Sequence, residues 1–296
     1  MRVFLTGATG FIGTAIIPEL IGAGHEVLGL ARSDEGAKAL AAAGVEVHRG
    51  SIEDLESMRS GAAEADAVIH CAFIHDFSKF AENCEKDRKV IEAIGEVLAG
   101  SGKPFLITSG TGLIAGAPGK PSTEDDPKPS SSVIPRVASE EEADRIAAKG
   151  VRVSVVRLPQ VHDPRKAGLI TYAVAIAREK GVSAYIGDGS NRWPAAHVSD
   201  VARLYRLVLE KGESGARYNA VAEEGVRMRD IAEILGRGLK LPVVSITAEV
   251  AANHFGWLAM FAGRDLAASS AKTRERLGWQ PAGPTLIADL EQMKFF

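Results

Sequence analysis

Short continuous apolar runs alternate, through the first half of the chain, with longer stretches whose apolar residues recur one helical turn apart. "RVFLTG" is the first such run and ends in glycine. "IGTAIIPELIGAG" then keeps helical spacing until Gly22 and Gly24, where a helix closes on a glycine cap. "HEVLGLAR" predicts a second strand, "SDEGAKALAAAG" a serine-capped helix, "VEVHRG" a third strand and "SIEDLESMRSGAAEA" another helix. "DAVIHCAF" predicts the fourth strand, a long helix runs to about Ala99, "PFLITSG" predicts the fifth strand and "VRVSVVRL" the sixth. Strands that are apolar throughout and separated by helices predict a parallel sheet covered on both faces, an α/β doubly wound fold.

Between the fifth and sixth strands lie "GAPGKPSTEDDPKPSSS", whose Pro, Ser and charge read as an exposed connection, a lid or a plain mobile loop, and then "PRVASEEEADRIAAKG". The second segment predicts a helix with proline at its start, acidic first turns and Arg136 facing Glu140 one turn on. After residue 163 the pattern loosens into helix-like "LITYAVAIAREKG", turn-rich "IGDGSNRWP", a helix at "SDVARLYRLVLEKG", a short strand at "RYNAV" and further helices. The division expected is a main domain over 1–163, to which 195–221 returns, and a smaller substrate-binding portion made of 164–194 and 222–296.

Composition narrows the class. With 46% apolar and 25% charged residues in 296, the chain can bury a full core. Its net charge of -3, without long blocks of one sign, gives no reason to expect a nucleic-acid partner. Cys71 and Cys84 lack metal-ligand spacing, so no metal is expected and a reduced compartment fits. "MRVFLTGATG" has no leader pattern, and no run of about 18 apolar residues occurs, so a cytoplasmic protein without a membrane partner is expected.

In "TGATGFIG", Gly7, Gly10 and Gly13 stand where the first strand turns into the first helix. Backbone there must turn tightly, and the helix start aims free N–H groups and a partial positive charge at a pyrophosphate. Dinucleotide binding is expected, with a merely tight structural turn as the plainer alternative. An acidic residue at the end of the second strand would hold the ribose hydroxyls of NAD, but this strand ends "GLARS". Ala31 removes that carboxylate, while Arg32 and Ser33 offer charge-assisted bonds to a 2'-phosphate, so NADPH is expected in preference to NADH.

"TGATGFIG", "AVIHCA", "TSGTG", "RLPQVHD", "HVSDVA" and "RERLGWQP", in this order across nearly the whole chain, resemble the extended and atypical short-chain dehydrogenase/reductases of the NAD-dependent epimerase/dehydratase group. The resemblance implies a Rossmann domain, a small C-terminal substrate domain and a nicotinamide cofactor across the strand ends. It also implies that Gly7, Thr9, Phe11 and Ile12 line the pyrophosphate, that Arg32 and Ser33 meet the adenosine ribose, and that Ser51 and Ile52 meet the adenine. Cys71, Ala72 and Phe73 would pass beneath the nicotinamide, and Pro159 to Val161 would cover it. Ser51 departs from the aspartate usual at its place. Many such relatives pair through two helices, which makes the helices from Ala81 and Arg136 candidates for a homodimer.

The same resemblance implies a catalytic Tyr-x-x-x-Lys, and here the chain departs. "RVASE" puts Arg136 at the tyrosine position and Glu140 at the lysine position, and the residues four beyond Tyr172, Tyr185, Tyr205 and Tyr218 are Ile176, Gly189, Leu209 and Ala222. The usual serine position holds Gly110. Candidates for a replacement are Arg136 as a fixed cation oriented by Glu140, Ser109 and Thr111 as hydroxyl donors, and His75 as a proton donor. A solvated Arg136–Glu140 pair is the plainer alternative. His75, His162, Tyr172, Arg192 and Trp193 are the candidate substrate contacts, with "NHFGWLAMF" as core or pocket wall. His197 and Asp200 are expected to organise a turn and cap a helix.

The function expected is an NADP(H)-dependent oxidoreductase acting on a carbonyl or conjugated enone of a small or medium-sized organic molecule, with a non-standard proton donor. The alternatives are a nucleotide-sugar epimerase or dehydratase, and a redox sensor that binds NADP(H) without turnover.

Overall fold

The computed structural model describes residues 1–114, 116, 117 and 119–294, so Ala115 and Pro118, in and before the Pro-rich connection, lie outside the described residues. The main sheet is built from β1 (Arg2–Thr6), β2 (Glu26–Ala31), β3 (Glu46–Arg49), β4 (Ala67–His70), β5 (Phe105–Gly110), β6 (Val153–Leu158) and β11 (Arg217–Asn219). Its order is β11-β6-β5-β4-β1-β2-β3, with every pairing parallel. The chain reverses its direction of travel at β1, which pairs with both β2 and β4, and that switch point is where an open α/β sheet takes its ligand.

Val3, Phe4 and Leu5 of β1 are fully buried although they point alternately to opposite faces, which is why the strand shows no polar alternation. On one face lie α1 (Phe11–Gly22), α2 (Asp34–Ala42) and α7 (Val198–Lys211), packed through Ile16, Leu20, Leu40 and Leu204. The other face carries α3 (Leu55–Ala63), α4 (Phe80–Leu98) and α5 (Ala138–Ala147), through Met58, Val90, Ile94 and Ile146.

A second core forms beyond the C-terminal edge of this sheet. Four strands, β7 (Gln160–Asp163), β8 (Lys166–Ala167), β10 (Arg192–His197) and β12 (Glu223–Arg227), pair in the order β12-β10-β7-β8. They pack with α6 (Ile170–Lys180), α8 (Met228–Leu239), α9 (Ala248–Phe255) and α12 (Leu286–Gln292) around Trp193, Leu235, Phe255 and Leu286. A parallel pair of β9 (Ser183–Ile186) with β13 (Val243–Ile246), and the short α10 (Ala259–Ala262) and α11 (Ala271–Leu277), complete the chain. β7 sits in this second sheet, whereas α7 and β11 return to the first.

The Pro-rich connection is fastened, which corrects the expectation of a simply exposed or mobile loop. Ser122 and Glu124 are buried. Ser122 exchanges backbone bonds with Ala267 and Ser269 at 2.8 and 2.7 Å, and Glu124 accepts from the amide and hydroxyl of Thr273 at 2.9 and 2.6 Å. His197 caps α7 by accepting from the Ser199 amide, whereas Asp200 fastens a distant loop. Asp200 accepts from the amides of Ala282 and Gly283 and pairs with Arg203, so it ties the loop before α12 to α7.

Candidate active site

The turn from β1 into α1 has the geometry of a phosphate cradle. Gly7 is left-handed at φ 71°, and a Cβ there would lie 2.8 Å from the Ala72 amide nitrogen. A Cβ on Gly13 would come 2.1 Å from the Gly7 carbonyl oxygen, so helix and turn touch only because both residues lack side chains. Gly10 caps α1 in extended conformation, and the first-turn N–H groups of Phe11, Ile12 and Gly13 precede the first intrahelical bond, Thr14 to Gly10. Thr9 and Gly10 are exposed at this opening, with Phe11 and Ile12 half-buried behind them. These residues fit a dinucleotide pyrophosphate.

At the end of β2, Ala31 is buried and Arg32 and Ser33 are exposed. The Ser33 hydroxyl caps α2 by accepting from the Gly36 amide at 3.1 Å, which leaves its own proton to donate. Arg49 from β3 bonds the Ser33 carbonyl and pairs with Asp34 at 2.7 Å, so the nearby carboxylate is neutralised. Ser51 accepts from the Glu53 amide, and Ile52 leans on the α3 side of the core.

β4 and β1 are stitched together at their ends. Thr6 Oγ1 bonds His70 Nδ1 at 2.7 Å and accepts from the Ala72 amide at 3.2 Å, which fixes the course of Cys71, Ala72 and Phe73. The Cys71 thiol accepts from Thr108, and burial pushes it up to about 11, so it stays protonated. Tyr205 bonds Thr108 at 2.7 Å but is fully buried, and burial raises its phenol well above 10, which removes it as a proton donor.

Arg136 and Glu140 do not face each other, which corrects both readings of that pair. Arg136 lies in a tight turn over Pro135–Val137 ahead of α5, where α-helical i,i+4 geometry does not apply. Its Nη1 donates to Asp87 Oδ2 at 2.9 Å and to Ser139 Oγ, its Nη2 donates to the Thr108 carbonyl at 2.8 Å, and its guanidinium lies 4.4 Å over the Phe73 ring. Asp87, buried on α4, also accepts from Ser139 and bonds His70 Nε2 at 3.0 Å through its other oxygen. Burial alone would push the Asp87 carboxyl up, but Arg136 first and His70 second hold it near 2. A chain Thr6–His70–Asp87–Arg136 therefore runs from the first strand to the position where the family resemblance expects tyrosine.

Glu140 turns instead to β6. It receives Arg157 through both oxygens at 2.9 and 2.8 Å and accepts from Ser109 Oγ at 2.7 Å, with all three side chains buried. Burial opposes its ionisation, yet Arg157 and Ser109 hold its carboxyl below the usual range. Ser109 thus spends its proton on Glu140, and Thr111 donates to the Leu158 carbonyl at 3.3 Å. Neither hydroxyl stands open.

His75 follows Phe73 out of β4 and is exposed, its ring 5.4 Å from Phe73 and 6.3 Å from Phe77. Partial burial in this recess, then the positive charges of Lys166 and Arg136, lower its imidazole below the ordinary histidine value, so the ring is neutral at pH 7 rather than an imidazolium. Tyr172 reaches the same recess from α6, edge-on to Phe77 at 5.6 Å and to Trp257 at 5.1 Å. Trp257 stacks on Phe77 at 4.0 Å, while its neighbours Phe255 and Leu258 point into the core.

Other candidates lie away from this recess. His162 is fully buried, bonded to Asp289 at 2.6 Å, and burial lowers its pKa. Trp193 is fully buried in the second core. A ligand reaches neither without unpacking. Arg192 pairs with Asp265 at 2.7 Å and touches the Gly119 carbonyl, so it braces the connection after β5. Pro159 is half-buried at the end of β6, but the Val161 side chain is buried in the main core. Sequence reasoning missed Asp87, His70, Arg157, Phe77 and Lys166, while Trp257 falls in the stretch named as core or pocket wall. No group of three or more His, Cys, Asp or Glu residues suited to a metal occurs among the described residues. Likewise, none of their helices is long and apolar enough to cross a membrane.

Residues 3–221 match the family model described as NAD dependent epimerase/dehydratase family. The chain belongs to this family. It is 46% identical, over the full length of both chains, to an uncharacterized protein of Schizosaccharomyces pombe. It is 24% identical over 94% of its length, and 92% of the other's, to the 4-hydroxy-2-methyl-3-oxo-4-farnesyl-3,4-dihydroquinoline-1-oxide ketoreductase of Stigmatella aurantiaca. The fold is that of UDP-glucose 4-epimerase from Thermus thermophilus, solved in complex with NAD, at a TM-score of 0.76, 20% identity and 100% and 99% coverage of the two chains. The family takes a nicotinamide dinucleotide, and the glycine cradle of this chain fits that cofactor.

Proposed function

We propose that this epimerase/dehydratase-family protein is an NADP(H)-dependent reductase of a carbonyl or conjugated enone in a small or medium-sized organic molecule, with Arg136 in place of the usual tyrosine. The carrying observation is that a guanidinium, braced by Asp87, Ser139 and the Thr108 carbonyl, stands on Phe73 beside the strand end where the family works. Those bonds leave N–H groups of Arg136 to spare for a substrate oxygen.

When bound, the cofactor supplies or accepts the hydride. Gly7, Thr9, Gly10, Phe11, Ile12 and Gly13 hold its pyrophosphate, Arg32 and Ser33 its 2'-phosphate, and Ser51 and Ile52 its adenine. Cys71 to Phe73 form the floor, and Pro159 forms the near wall. Arg136 orients the carbonyl and stabilises negative charge on its oxygen, a task that requires a fixed cation rather than a titrating acid. The proton then comes from water, which reaches the site past the exposed His75, because the neutral imidazole is not itself an acid near pH 7. Residues 164–194 and 222–296 supply the substrate wall through Tyr172 and Trp257.

The ketoreductase name of the Stigmatella relative supports reduction as the direction of use. Epimerisation and dehydration lean on the Tyr/Lys pair that this chain replaces. A homodimer through α4 and α5 would have to bury the Arg145–Glu92 and Arg88–Glu141 pairs that bridge these helices. Cofactor choice is tested by fluorescence titration. Arg32→Ala is expected to raise the NADPH dissociation constant by about tenfold to a hundredfold and to leave NADH within about twofold. Equal losses for both would remove the 2'-phosphate role.

A further inference from the structure

Aromatic rings gather beside Arg136, whose guanidinium covers Phe73. Phe77 and Trp257 stack nearly parallel, with an interplanar angle of 7°, and Tyr172 stands at right angles to them. Phe73 and His75 carry the wall back to β4. Such a surface complements a planar, conjugated ligand, which gains from offset stacking and edge contacts.

The carboxylates near these rings are all engaged. Asp87 is taken by Arg136 and His70, Asp163 by Arg165 and by the amides of Arg165 and Lys166, and Asp76 by the amide and hydroxyl of Ser78. Lys166, exposed on β8, has no carboxylate partner among the described residues, and its ammonium lies 5.7 Å over the Phe11 ring at the start of α1. β8 leads directly into α6, which carries Tyr172, and the Ala167 amide donates to Thr171 Oγ1 at 3.0 Å, so Lys166 stands on the Tyr172 side of the aromatic wall. An uncompensated cation at the rim of a low-dielectric, aromatic-walled site favours an anion there.

We infer that Lys166 determines specificity at this site, and that the substrate is a planar conjugated carbonyl compound carrying an anionic group such as a carboxylate. The inference rests on the carbonyl-reduction reading for its chemistry but not for its binding geometry. Arg136 meets the reacting oxygen, Lys166 meets the anion, and the Phe77–Trp257 face carries the conjugated plane between them. The cofactor's own pyrophosphate, at the α1 start, is the other anion within reach of Lys166, so the test separates the two.

Calorimetric titration at low ionic strength uses benzoate and its neutral analogue benzamide, on protein saturated with NADP+, for the natural chain and for Lys166→Gln. Benzoate is expected to bind at least about tenfold more tightly than benzamide, and Lys166→Gln to erase that difference while leaving the NADPH dissociation constant within about twofold. Equal binding of the two ligands to the natural chain overturns the inference. So does a Lys166→Gln effect confined to NADPH. Turnover is read separately, with 4-formylbenzoate against its methyl ester. Preference for the acid, lost through a raised KM in Lys166→Gln, supports both readings. Anion-selective binding without consumption of NADPH for either aldehyde supports the anion site and contradicts carbonyl reduction.

Discussion

Replacing Arg136 with methionine is expected to lower kcat for carbonyl reduction by about 10²- to 10³-fold, the usual effect of removing one preorganised oxyanion donor, with the NADPH dissociation constant unchanged. Methionine keeps the stem that covers Phe73 but removes the cation held by Asp87 and the Thr108 carbonyl. Arg136→Lys should recover little, because an ammonium cannot span Asp87, Ser139 and a substrate oxygen in one plane. The pH profile is the more discriminating readout. With no tyrosine acid at this position, the rate of the natural chain should show no limb that a catalytic phenol would give between about pH 6 and pH 10. Steady-state kinetics of the three proteins between pH 6 and pH 10, at saturating NADPH, check this. An unchanged kcat in Arg136→Met would return the residue to a purely structural role.

Arg157→Met is expected to be the most destabilising single change in the site region. Arg157 and Glu140 are 2% and 1% exposed, and removing the cation leaves the carboxylate with Ser109 and with Arg217 at 3.7 Å. Breaking a buried pair from one side typically costs about 3 to 5 kcal/mol, a fall in Tm on the order of 10 °C for a chain of this size. The double variant Glu140→Leu/Arg157→Met should regain much of the loss, because the stranded charge is gone. Acid acts on the same pair. Since the folded state holds the Glu140 carboxyl below 4.5, its contribution is complete above that pH and is lost as the pH falls through the depressed value. Thermal melts of both variants at pH 7 and pH 4 check the pair. Equal melting temperatures for the natural chain and Arg157→Met would contradict the account.

The parallel sheet was readable because its strands are buried on both faces and so appear as unbroken apolar runs, as Val3–Leu5 and Ala67–Ile69 do. The second sheet was not, since β7 and β8 are short and the pairing of β7 with β10, and of β8 with β7, is fixed only by the fold. Arg136 was visible as a departure from the expected tyrosine, but its partner was not, because Asp87 lies 49 residues away. A signal was present all the same. Cys84, Asp87, Val90, Ile91 and Ile94 fall on one stripe of α4, which marks Asp87 as a carboxylate facing the interior and in need of a cation. Arg157, set in the otherwise apolar "VSVVRL", carried the same kind of signal for Glu140. His162 misled because a histidine at a strand end looks identical in sequence whether it faces a ligand or, as here, a buried Asp289.

Whether this protein turns over a carbonyl is the claim on which the rest depends. The direct measurement is the loss of NADPH fluorescence with purified protein, saturated with NADPH, against a panel of aldehydes, ketones and enones that includes aromatic carboxylates. The account predicts protein-dependent consumption with at least one conjugated carbonyl compound, abolished by Arg136→Met. Tight NADPH binding with no consumption across the panel would contradict it and favour a sensor that binds the cofactor without using it.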